Sequence, residues 1–306
     1  MKKTILITGS SSGIGRATAQ YFSQKVWNVA ATMRKPEEEK NIKESSSVKL
    51  YRLDVQDEDS IQKSIGKVIS DFGKIDVVLN NAGYGARGPF EAASKDQIRR
   101  QFDVNVFGLM AVIEHILPYF RQSNSGTIIN VSSIGGRLTM PLYSLYHGTK
   151  WAVEGFSESL SFELAQFGIK IKIIEPGVIK TDFTGRSADI LKKEGLDSYE
   201  TLIKNFEEKA AKFMDKAAEP ELVAQTIYKA ANDNSNRMRY LVGKDAKMFW
   251  TIRRYFGENV ITPIQRPMHC LSMNTKCQFQ MTIGKKRPKI WSNACVIFTV
   301  QKPLTC

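Results

Sequence analysis

Cysteine is absent from residues 1–269, and the four cysteines of the chain, Cys270, Cys277, Cys295 and Cys306, all come later. The main part of the chain therefore has no disulfide framework, which is typical of a protein in a reducing compartment. No uncharged apolar run reaches the ~18 residues that span a bilayer. The first apolar run, Thr4–Thr8, is also too short for the hydrophobic part of a secretory signal. We therefore expect a cytoplasmic protein that begins with its first strand and makes no membrane contact.

Metal-ligating side chains are also scarce. The chain has three histidines, His115, His147 and His269, and no cluster of histidines and carboxylates at metal-ligand spacing. No Gly-Lys-Ser or Gly-Lys-Thr sequence follows the first glycine-rich turn, although a phosphate-transferring P-loop requires one. The sequence thus predicts no metal site and disfavours a P-loop enzyme.

Acidic residues are missing from residues 263–306, which carry seven lysines and arginines of a chain whose net charge is +13. Residues 1–262 contain 37 basic and 31 acidic groups, so their net charge is only +6. A cofactor with several phosphates is a sufficient acidic partner for this excess, and we expect no nucleic-acid binding. Residues 263–306 also lack regular periodicity outside Ala294–Val300. We predict one domain over residues 1–262 and an irregular basic tail over 263–306, which is either foreign to the protein or a natural mobile tail.

Short apolar runs alternate with longer amphipathic runs over the first 245 residues. Ile61, Val68 and Phe72 share one helix face, and acidic residues from Asp57 onward precede it, as at a helix start. Pro220 marks another helix start, because proline suits the first turn. Seven runs are typical of strands buried on both faces: Thr4–Thr8, Val29–Met33, Val48–Leu53, Ile75–Asn80, Thr127–Val131, Ile169–Glu175 and Arg239–Val242. The alternation predicts an α/β fold, with a doubly wound parallel sheet between helices.

A glycine-rich turn follows the first predicted strand, with the sequence Thr8-Gly-Ser-Ser-Ser-Gly-Ile-Gly15. Glycine lets main-chain N–H groups approach a pyrophosphate closely, and the helix that follows adds partial positive charge at its N-terminus. The turn is therefore predicted to bind a dinucleotide. Its predicted contact residues are Gly9, Ser11, Ser12, Gly13, Ile14 and Gly15.

The turn and six further motifs, in the same order, resemble the short-chain dehydrogenase/reductase family. The six are Leu53-Asp54-Val55, Asn80-Asn81-Ala82-Gly83, Asn105, Ser132-Ser133, Tyr146-x-x-x-Lys150, and Pro176-Gly177 with Thr181. The resemblance implies a single Rossmann-type domain that uses NAD or NADP. It also implies further cofactor contacts from Asp54, Val55, Asn81, Ala82, Gly83, Pro176, Gly177, Ile179 and Thr181. The subgroup resembled most is that of hydroxysteroid and retinol dehydrogenases, through Ala-Thr-Met-Arg34 and Asn-Ala-Gly-Tyr-Gly85.

The end of the second strand bears on the choice between NAD and NADP. An NAD site places a carboxylate there to hold the ribose 2′-hydroxyl, but here the position is Met33 and the next residue is Arg34. Arginine binds a 2′-phosphate through charge-assisted hydrogen bonds, which a carboxylate would repel. We therefore predict NADP, held by Arg34 with help from Arg16. The alternative is that Arg34 is a solvated loop residue beside Glu37–Glu39.

Tyr146 and Lys150 are four residues apart and share one helix face. A neighbouring ammonium lowers the pKa of a tyrosine from about 10, which suits a general acid/base. The resemblance implies that Tyr146 protonates the carbonyl oxygen as hydride arrives from the nicotinamide, and that Lys150 holds the nicotinamide ribose. It assigns the substrate oxygen to Ser133 rather than Ser132, and a water-linked proton relay through Lys150 to Asn105. The alternative for Asn105 is a polar helix residue that satisfies the backbone.

Apolar residues are frequent in the segments that the resemblance assigns to the substrate. The segment Asp182–Lys216 is predicted to be helical and, with Leu138, Met140 and Tyr143, to form an apolar pocket. Substrate contacts are expected from Ser133, Tyr143 and Tyr146. The basic, aromatic segment Lys247–Phe256 could rest on a membrane or on a partner subunit, but packing onto the body of the protein is favoured. The resemblance also implies a homo-oligomer formed through two long helices, Gln97–Phe120 and Leu145–Gln166.

The sequence as a whole favours an NADP(H)-dependent oxidoreductase that interconverts an alcohol and a ketone or aldehyde by hydride transfer. The alternative is a non-catalytic protein that senses NADP(H) on the same fold. All four predicted catalytic residues, Asn105, Ser133, Tyr146 and Lys150, are present, and this favours the enzyme. One departure is that His147-Gly148-Thr149 replaces the commoner small residues inside the Tyr-x-x-x-Lys motif.

Overall fold

The computed structural model describes residues 2–181 and 188–257. The strands in these ranges are β1 (Lys3–Ile7), β2 (Trp27–Met33), β3 (Val48–Arg52), β4 (Val77–Asn80), β5 (Gly85–Arg87), β6 (Gly126–Val131), β7 (Ile169–Pro176), β8 (Ala188–Ile190) and β9 (Arg239–Val242). Seven of them form a parallel sheet in the order β3-β2-β1-β4-β6-β7-β9. The other two, β5 and β8, form a small parallel pair.

Helices cover both faces of the large sheet. They are α1 (Gly13–Ser23), α2 (Glu58–Phe72), α3 (Lys95–Phe102), α4 (Gly108–Gln122), α5 (Ser144–Leu164), α6 (Glu200–Met214), α7 (Pro220–Asn232) and α8 (Lys244–Phe256). A π-helical turn, Asp103–Phe107, joins α3 to α4. Helices α2, α4 and α5 pack on one face, and α1 and α7 pack together on the other.

Each face of the sheet has its own hydrophobic core. On one face, Ile61 and Val68 of α2 pack with Ile116 of α4, and all three are fully buried. On the other face, Phe22 of α1 packs with Trp27 at the start of β2. Each such side chain contributes about 1.5–3 kcal/mol of burial free energy, so the two cores hold the strand ends in place.

Local signals set the ends of the helices. The Asp57 side chain accepts a hydrogen bond from the Ser60 N–H at 3.0 Å and caps the start of α2. The same helix ends at Gly73, whose φ of 79° is in the left-handed region that glycine adopts without strain. Pro220 occupies the first turn of α7, where its missing N–H costs no helical hydrogen bond.

The doubly wound parallel sheet is confirmed, and each of the seven predicted strands lies within two residues of an observed one. The helix predicted over Gln97–Phe120 lies within one continuous helical stretch, in which the π-helical turn at Asp103–Phe107 joins α3 to α4 as a bulge. The β5–β8 pair was not predicted from the sequence, because its strands of three residues are too short to show a periodic pattern. Within the predicted helical segment Asp182–Lys216, the described part contains β8 and α6, while residues 182–187 lie outside the described ranges.

No helix among the described residues is long and apolar enough to cross a membrane. The predicted tail, residues 263–306, lies outside the described residues, and so does the boundary at residue 262. The division of the chain at that residue therefore stays a prediction.

Candidate active site

A cavity of about 1140 Å³ opens at the carboxyl ends of the central strands. It includes the crevice between β1 and β4, where the order of the strands reverses and open α/β sheets bind their ligands. Its volume exceeds the ~300–1,000 Å³ typical of a site for one small molecule, so it has room for a dinucleotide and a substrate. The predicted site residues that line it are Gly9, Ser11, Ser12, Gly13, Ile14, Arg34, Asp54, Val55, Asn81, Ala82, Gly83, Ser133, Tyr143, Tyr146, Lys150, Pro176, Gly177, Ile179 and Thr181.

The glycine-rich turn needs its glycines for two reasons. Gly9 and Gly13 have φ values of +69° and +52°, in the left-handed region that other residues adopt only with strain. A Cβ on Gly15 would lie 2.2 Å from the Gly9 carbonyl oxygen, so any side chain there would displace the turn. The turn therefore presents main-chain groups, at the start of α1, to the cofactor end of the cavity.

Asn81 holds this turn from the neighbouring strand. Its Nδ2 donates to the carbonyl oxygens of Thr8 at 2.9 Å and Gly9 at 3.0 Å. In return, the hydroxyl of Thr8 accepts hydrogen bonds from the N–H groups of Asn81 and Ala82, both at 3.0 Å. The side chain of Asn81 is thus used to join the turn to the end of β4, and its remaining role toward a cofactor stays a prediction.

The two basic residues considered for a 2′-phosphate have different surroundings. Arg34 is exposed and lines the cavity. Arg16 donates to the main-chain oxygen of Ser11 and forms an ion pair with Glu39, whose carboxylate lies 3.7 Å away. Arg16 therefore connects the glycine-rich turn to the loop after β2, and its expected help in phosphate binding stays a prediction.

Ser133 and Tyr146 meet on the wall of the cavity. A hydrogen bond with Ser133 lowers the pKa of Tyr146, but burial has the larger effect and raises that pKa to about 12. The hydroxyl of Ser133 also accepts the N–H of Gly135 at 3.0 Å. Ser132 lines the same cavity but is more deeply buried. The contact with Tyr146 agrees with the choice of Ser133 over Ser132.

Lys150 lies one turn further along α5, and its Nζ donates to the carbonyl oxygen of Val131 at 2.8 Å. Burial lowers the pKa of Lys150 to about 8, while the charge of Glu154 acts in the opposite direction. The Nζ is 5.7 Å from the centre of the Tyr146 ring. Burial is the largest influence on the pKa of Tyr146 and raises it, so the lowering expected from the ammonium together with an oxidised nicotinamide stays a prediction.

Asn105 is buried in the π-helical turn, and both ends of its side chain are occupied. Its Oδ1 accepts the N–H of Tyr84 at 3.0 Å, and its Nδ2 donates to the Tyr84 carbonyl at 2.9 Å and to the Thr149 hydroxyl at 3.1 Å. These contacts match the alternative reading, in which Asn105 satisfies the backbone. They also connect the loop after β4 to α5, because Thr149 lies on α5. Thr149 in turn donates to the carbonyl of Tyr146 at 2.8 Å.

The substrate half of the cavity is mostly apolar. It is lined by Leu138, Met140, Tyr143, Phe206, Phe213, Met214, Met248 and Phe249. Two ion pairs stand at its edge, Arg87–Glu207 at 3.2 Å and Arg100–Asp189 at 3.3 Å. Helix α8 packs against the body, as favoured from the sequence, because Trp250 lies 3.2 Å beneath the guanidinium of Arg137 and Phe249 contacts Phe213.

A buried charged cluster behind α5 was not anticipated from the sequence. Glu175 of β7 is fully buried and pairs with Arg137 at 3.3 Å. Arg239 of β9 reaches Glu154 at 2.9 Å and Glu175 at 3.7 Å. Burial, followed by the charge of Glu154, raises the pKa of Glu175 to about 7. The sequence signal was a glutamate inside an apolar strand, at Ile173-Ile174-Glu175.

The role of His147 was also not predicted from the sequence. In the sequence it is only a departure from the common motif, but in the structure it is buried and forms two hydrogen bonds to the loop after Ser133.

In the part of the chain that the structure describes, no group of three or more histidine, cysteine, aspartate or glutamate side chains is placed to hold a metal ion.

Comparisons with known proteins agree with this arrangement. A family model described as short chain dehydrogenase matches residues 3–190. An uncharacterized oxidoreductase of Schizosaccharomyces pombe is 44% identical over 211 residues, which are 69% of this chain and 88% of that protein. Human retinol dehydrogenase 8 is 33% identical over 193 residues, 60% of this chain and 61% of that protein.

A solved structure, ElxO with NADP bound, superposes with a TM-score of 0.66 at 30% identity and covers 79% of this chain and 98% of that chain. The resemblance to the short-chain dehydrogenase/reductase family and to its retinol and hydroxysteroid dehydrogenase subgroup is thereby confirmed. The chain therefore belongs to the short-chain dehydrogenase/reductase family of oxidoreductases, which act on the CH–OH groups of small-molecule donors.

Proposed function

We propose that this protein is an NADP(H)-dependent enzyme that interconverts an alcohol and a ketone or aldehyde on an apolar substrate, with Tyr146 as general acid/base. The observation that carries the proposal is the contact between Ser133 and Tyr146 on the wall of one cavity that also contains the glycine-rich turn. A carbonyl oxygen placed there would meet two hydroxyl groups at once, which is the arrangement that carbonyl reduction needs.

The residues present fit a dinucleotide with a 2′-phosphate. The glycine-rich turn presents the start of α1 to the cavity, and a helix N-terminus favours phosphate. The end of β2 carries Met33 in place of a carboxylate, and Arg34 is exposed beside it. The NADP-bound relative supports the same choice. When bound, the cofactor would supply or accept the hydride.

Tyr146 holds the proton that the reaction moves. A phenol is protonated at neutral pH, and burial strengthens this by raising the pKa of Tyr146, so the side chain carries the proton that carbonyl reduction needs. Ser133 bonds the same phenol and orients it toward the substrate oxygen. Lys150 is fixed by the carbonyl of Val131, which places its ammonium beside Tyr146 for the predicted contact to the nicotinamide ribose.

The substrate is proposed to be apolar because aromatic and methionine side chains line its half of the cavity. The printed activity of one relative, a retinol dehydrogenase, is consistent with an apolar alcohol. The protein is further proposed to be a homo-oligomer. Gly148, Trp151, Gly155 and Phe162 form an exposed stripe on α5, and Phe162 is 75% exposed, so the stripe is available to a second copy.

The test is oxidation of NADPH, followed by absorbance, with a panel of apolar ketones and aldehydes. We expect Tyr146→Phe to reduce kcat by about 10²–10⁴-fold, the range typical of a lost general acid. The matched control is Tyr119→Phe, which removes the hydroxyl of a tyrosine on α4 outside the residues that line the cavity and should retain most of the activity. Equal turnover by Tyr146→Phe and the wild type would refute the mechanism. NADPH binding without turnover of any substrate would favour the cofactor-sensing alternative.

A further inference from the structure

His147 follows Tyr146 directly on α5, and its ring is buried. Nδ1 lies 2.8 Å from the carbonyl oxygen of Gly135, and Nε2 accepts the N–H of Met140 at 2.9 Å. Because Nε2 accepts a hydrogen bond, the proton of the neutral ring is on Nδ1, which donates to Gly135. Burial lowers the pKa of His147, which agrees with a neutral ring. One side chain thus holds two points of the chain, five residues apart, in a single geometry.

The segment held in this way is residues 134–143, here named the substrate-side loop. It begins directly after Ser133, and the N–H of Gly135 donates to the hydroxyl of Ser133 at 3.0 Å. Leu138 and Met140 of the same loop line the apolar half of the cavity. His147 is therefore connected to Ser133 through Gly135, and to the apolar wall of the cavity through Met140.

The substrate-side loop packs closely against α5, so the hydrogen bonds of His147 leave it little room to move. A Cβ on Gly135 would be 2.7 Å from Nδ1 of His147, and one on Gly136 would be 2.9 Å from Cγ of Glu154. These distances are shorter than ordinary carbon contacts, so only glycine fits at both positions. The peptide groups of the loop can therefore approach the helix closely enough for direct hydrogen bonds.

The loop also contains a strained residue, which shows that it is held by its surroundings. Leu142 has a φ of +64°, in the left-handed region, where a residue other than glycine costs about 1–3 kcal/mol. Its carbonyl accepts the N–H of Gly88 at 2.8 Å. A strained residue persists only where tertiary contacts oppose its relaxation, and the bond from Met140 to His147 is two residues away.

We propose that His147 is a positioning residue that orients Ser133 through Gly135 and shapes the substrate-binding wall through Met140. The inference rests on the proposed function, because it names the residue that sets the geometry of that same site. His147 touches neither of the predicted reacting hydroxyl groups through a hydrogen bond of its own, so its action is indirect.

Two conservative variants separate its two contacts. In His147→Asn the amide nitrogen takes the position of Nδ1, so the donor to Gly135 is kept and the acceptor for Met140 is lost. In His147→Gln the amide oxygen takes the position of Nε2, so the acceptor for Met140 is kept and the donor to Gly135 is lost. His147→Phe fills the volume of the ring and removes both contacts.

We expect the two variants to change different kinetic constants. His147→Gln should lower kcat by about 10- to 100-fold with little change in KM, because a small displacement of Ser133 affects the reacting geometry. His147→Asn should retain kcat but raise KM and weaken discrimination between ketones of different size. NADPH binding, measured by fluorescence titration, should be unchanged in both. If the two variants lower kcat and raise KM alike, in proportion to their loss of thermal stability, His147 is only structural and the proposal is overturned.

A readout without turnover separates this inference from the proposed function. Hydrogen–deuterium exchange, followed by mass spectrometry of peptides from residues 134–143, should be at least tenfold faster in His147→Phe than in the wild type. Peptides from β1 and α1 should exchange equally in both proteins. Absence of wild-type turnover on every carbonyl would refute the proposed function, and exchange in the loop would then still decide whether His147 holds it. Unchanged exchange of the loop would refute the role of His147.

Discussion

Glu175 should make the stability of this protein fall as pH rises toward neutral. The carboxyl group is fully buried in β7, and burial with the nearby charge of Glu154 raises its pKa from 4.5 to about 7. The folded protein therefore holds a proton on Glu175 more tightly than the unfolded chain does. The stabilisation is complete below pH 4.5 and is lost as pH rises through about 7.

The size of the effect follows from the same pKa difference. At ~1.4 kcal/mol per pH unit, an increase of this size corresponds to on the order of 3 kcal/mol of unfolding free energy, which belongs to Glu175 and the neighbouring Glu154 together. This is a large part of the ~5–15 kcal/mol by which folded proteins are usually stable. The pairs of Glu175 with Arg137 and Arg239 reduce the cost of ionisation but do not remove it, since desolvation of the carboxylate is the larger cause.

The measurement is urea unfolding of the wild type and of Glu175→Gln between pH 4.5 and pH 8. Glutamine has the same shape and does not titrate, so the difference between the two curves reports the titration of Glu175 together with its effect on the neighbouring Glu154. We expect the stability of the wild type, relative to the variant, to fall by about 3 kcal/mol over this range. Glu219→Gln is the matched control, because Glu219 lies at the surface and pairs with Lys180 there. Parallel curves for the wild type and Glu175→Gln would refute the reasoning.

Two further predictions concern the cofactor and the assembly. Arg34→Ala should weaken NADPH binding by roughly 10- to 100-fold and NADH binding far less, because a charged hydrogen bond is worth about 1.5–3 kcal/mol. Fluorescence titration measures the binding of both cofactors, and Lys35→Ala is the control. An equal loss of affinity for the two cofactors would contradict the assignment of Arg34. Phe162→Glu should convert the proposed oligomer to monomers, as measured by light scattering, because it puts a charge into the exposed stripe of α5. Val26→Glu, at another exposed apolar position, should leave the oligomer intact. A wild-type protein that is already monomeric would rule out the proposed oligomer.

Most of the cofactor half of the site could be predicted from the sequence because its signals are local. The turn at Gly9–Gly15 needs glycine for reasons of backbone conformation and close approach, so its chemistry is readable from its residues. The strands were recognisable because those buried on both faces are apolar at consecutive positions. The π-helical turn at Asp103–Phe107 was not, because a single extra residue in a helix leaves the apolar periodicity nearly unchanged.

The substrate half depends on residues far apart in the chain. The role of His147 could not be read from its neighbours in the sequence, since its partners are main-chain groups of Gly135 and Met140. The charged cluster joins α5, β7 and β9 through Arg239, and nothing local pairs Arg239 with Glu154.

The amino-acid sequence by itself determined the α/β fold, the family and the residue types that carry the chemistry, because apolar periodicity and short motifs are local properties of a chain. The tertiary structure decided how those residues are used. Burial, which depends on the whole fold, raises the pKa of Tyr146 and lowers that of Lys150. Contacts between segments far apart in the chain join Asn105 to the backbone of Tyr84 and Arg16 to Glu39. Such effects act over distances that a sequence pattern does not record.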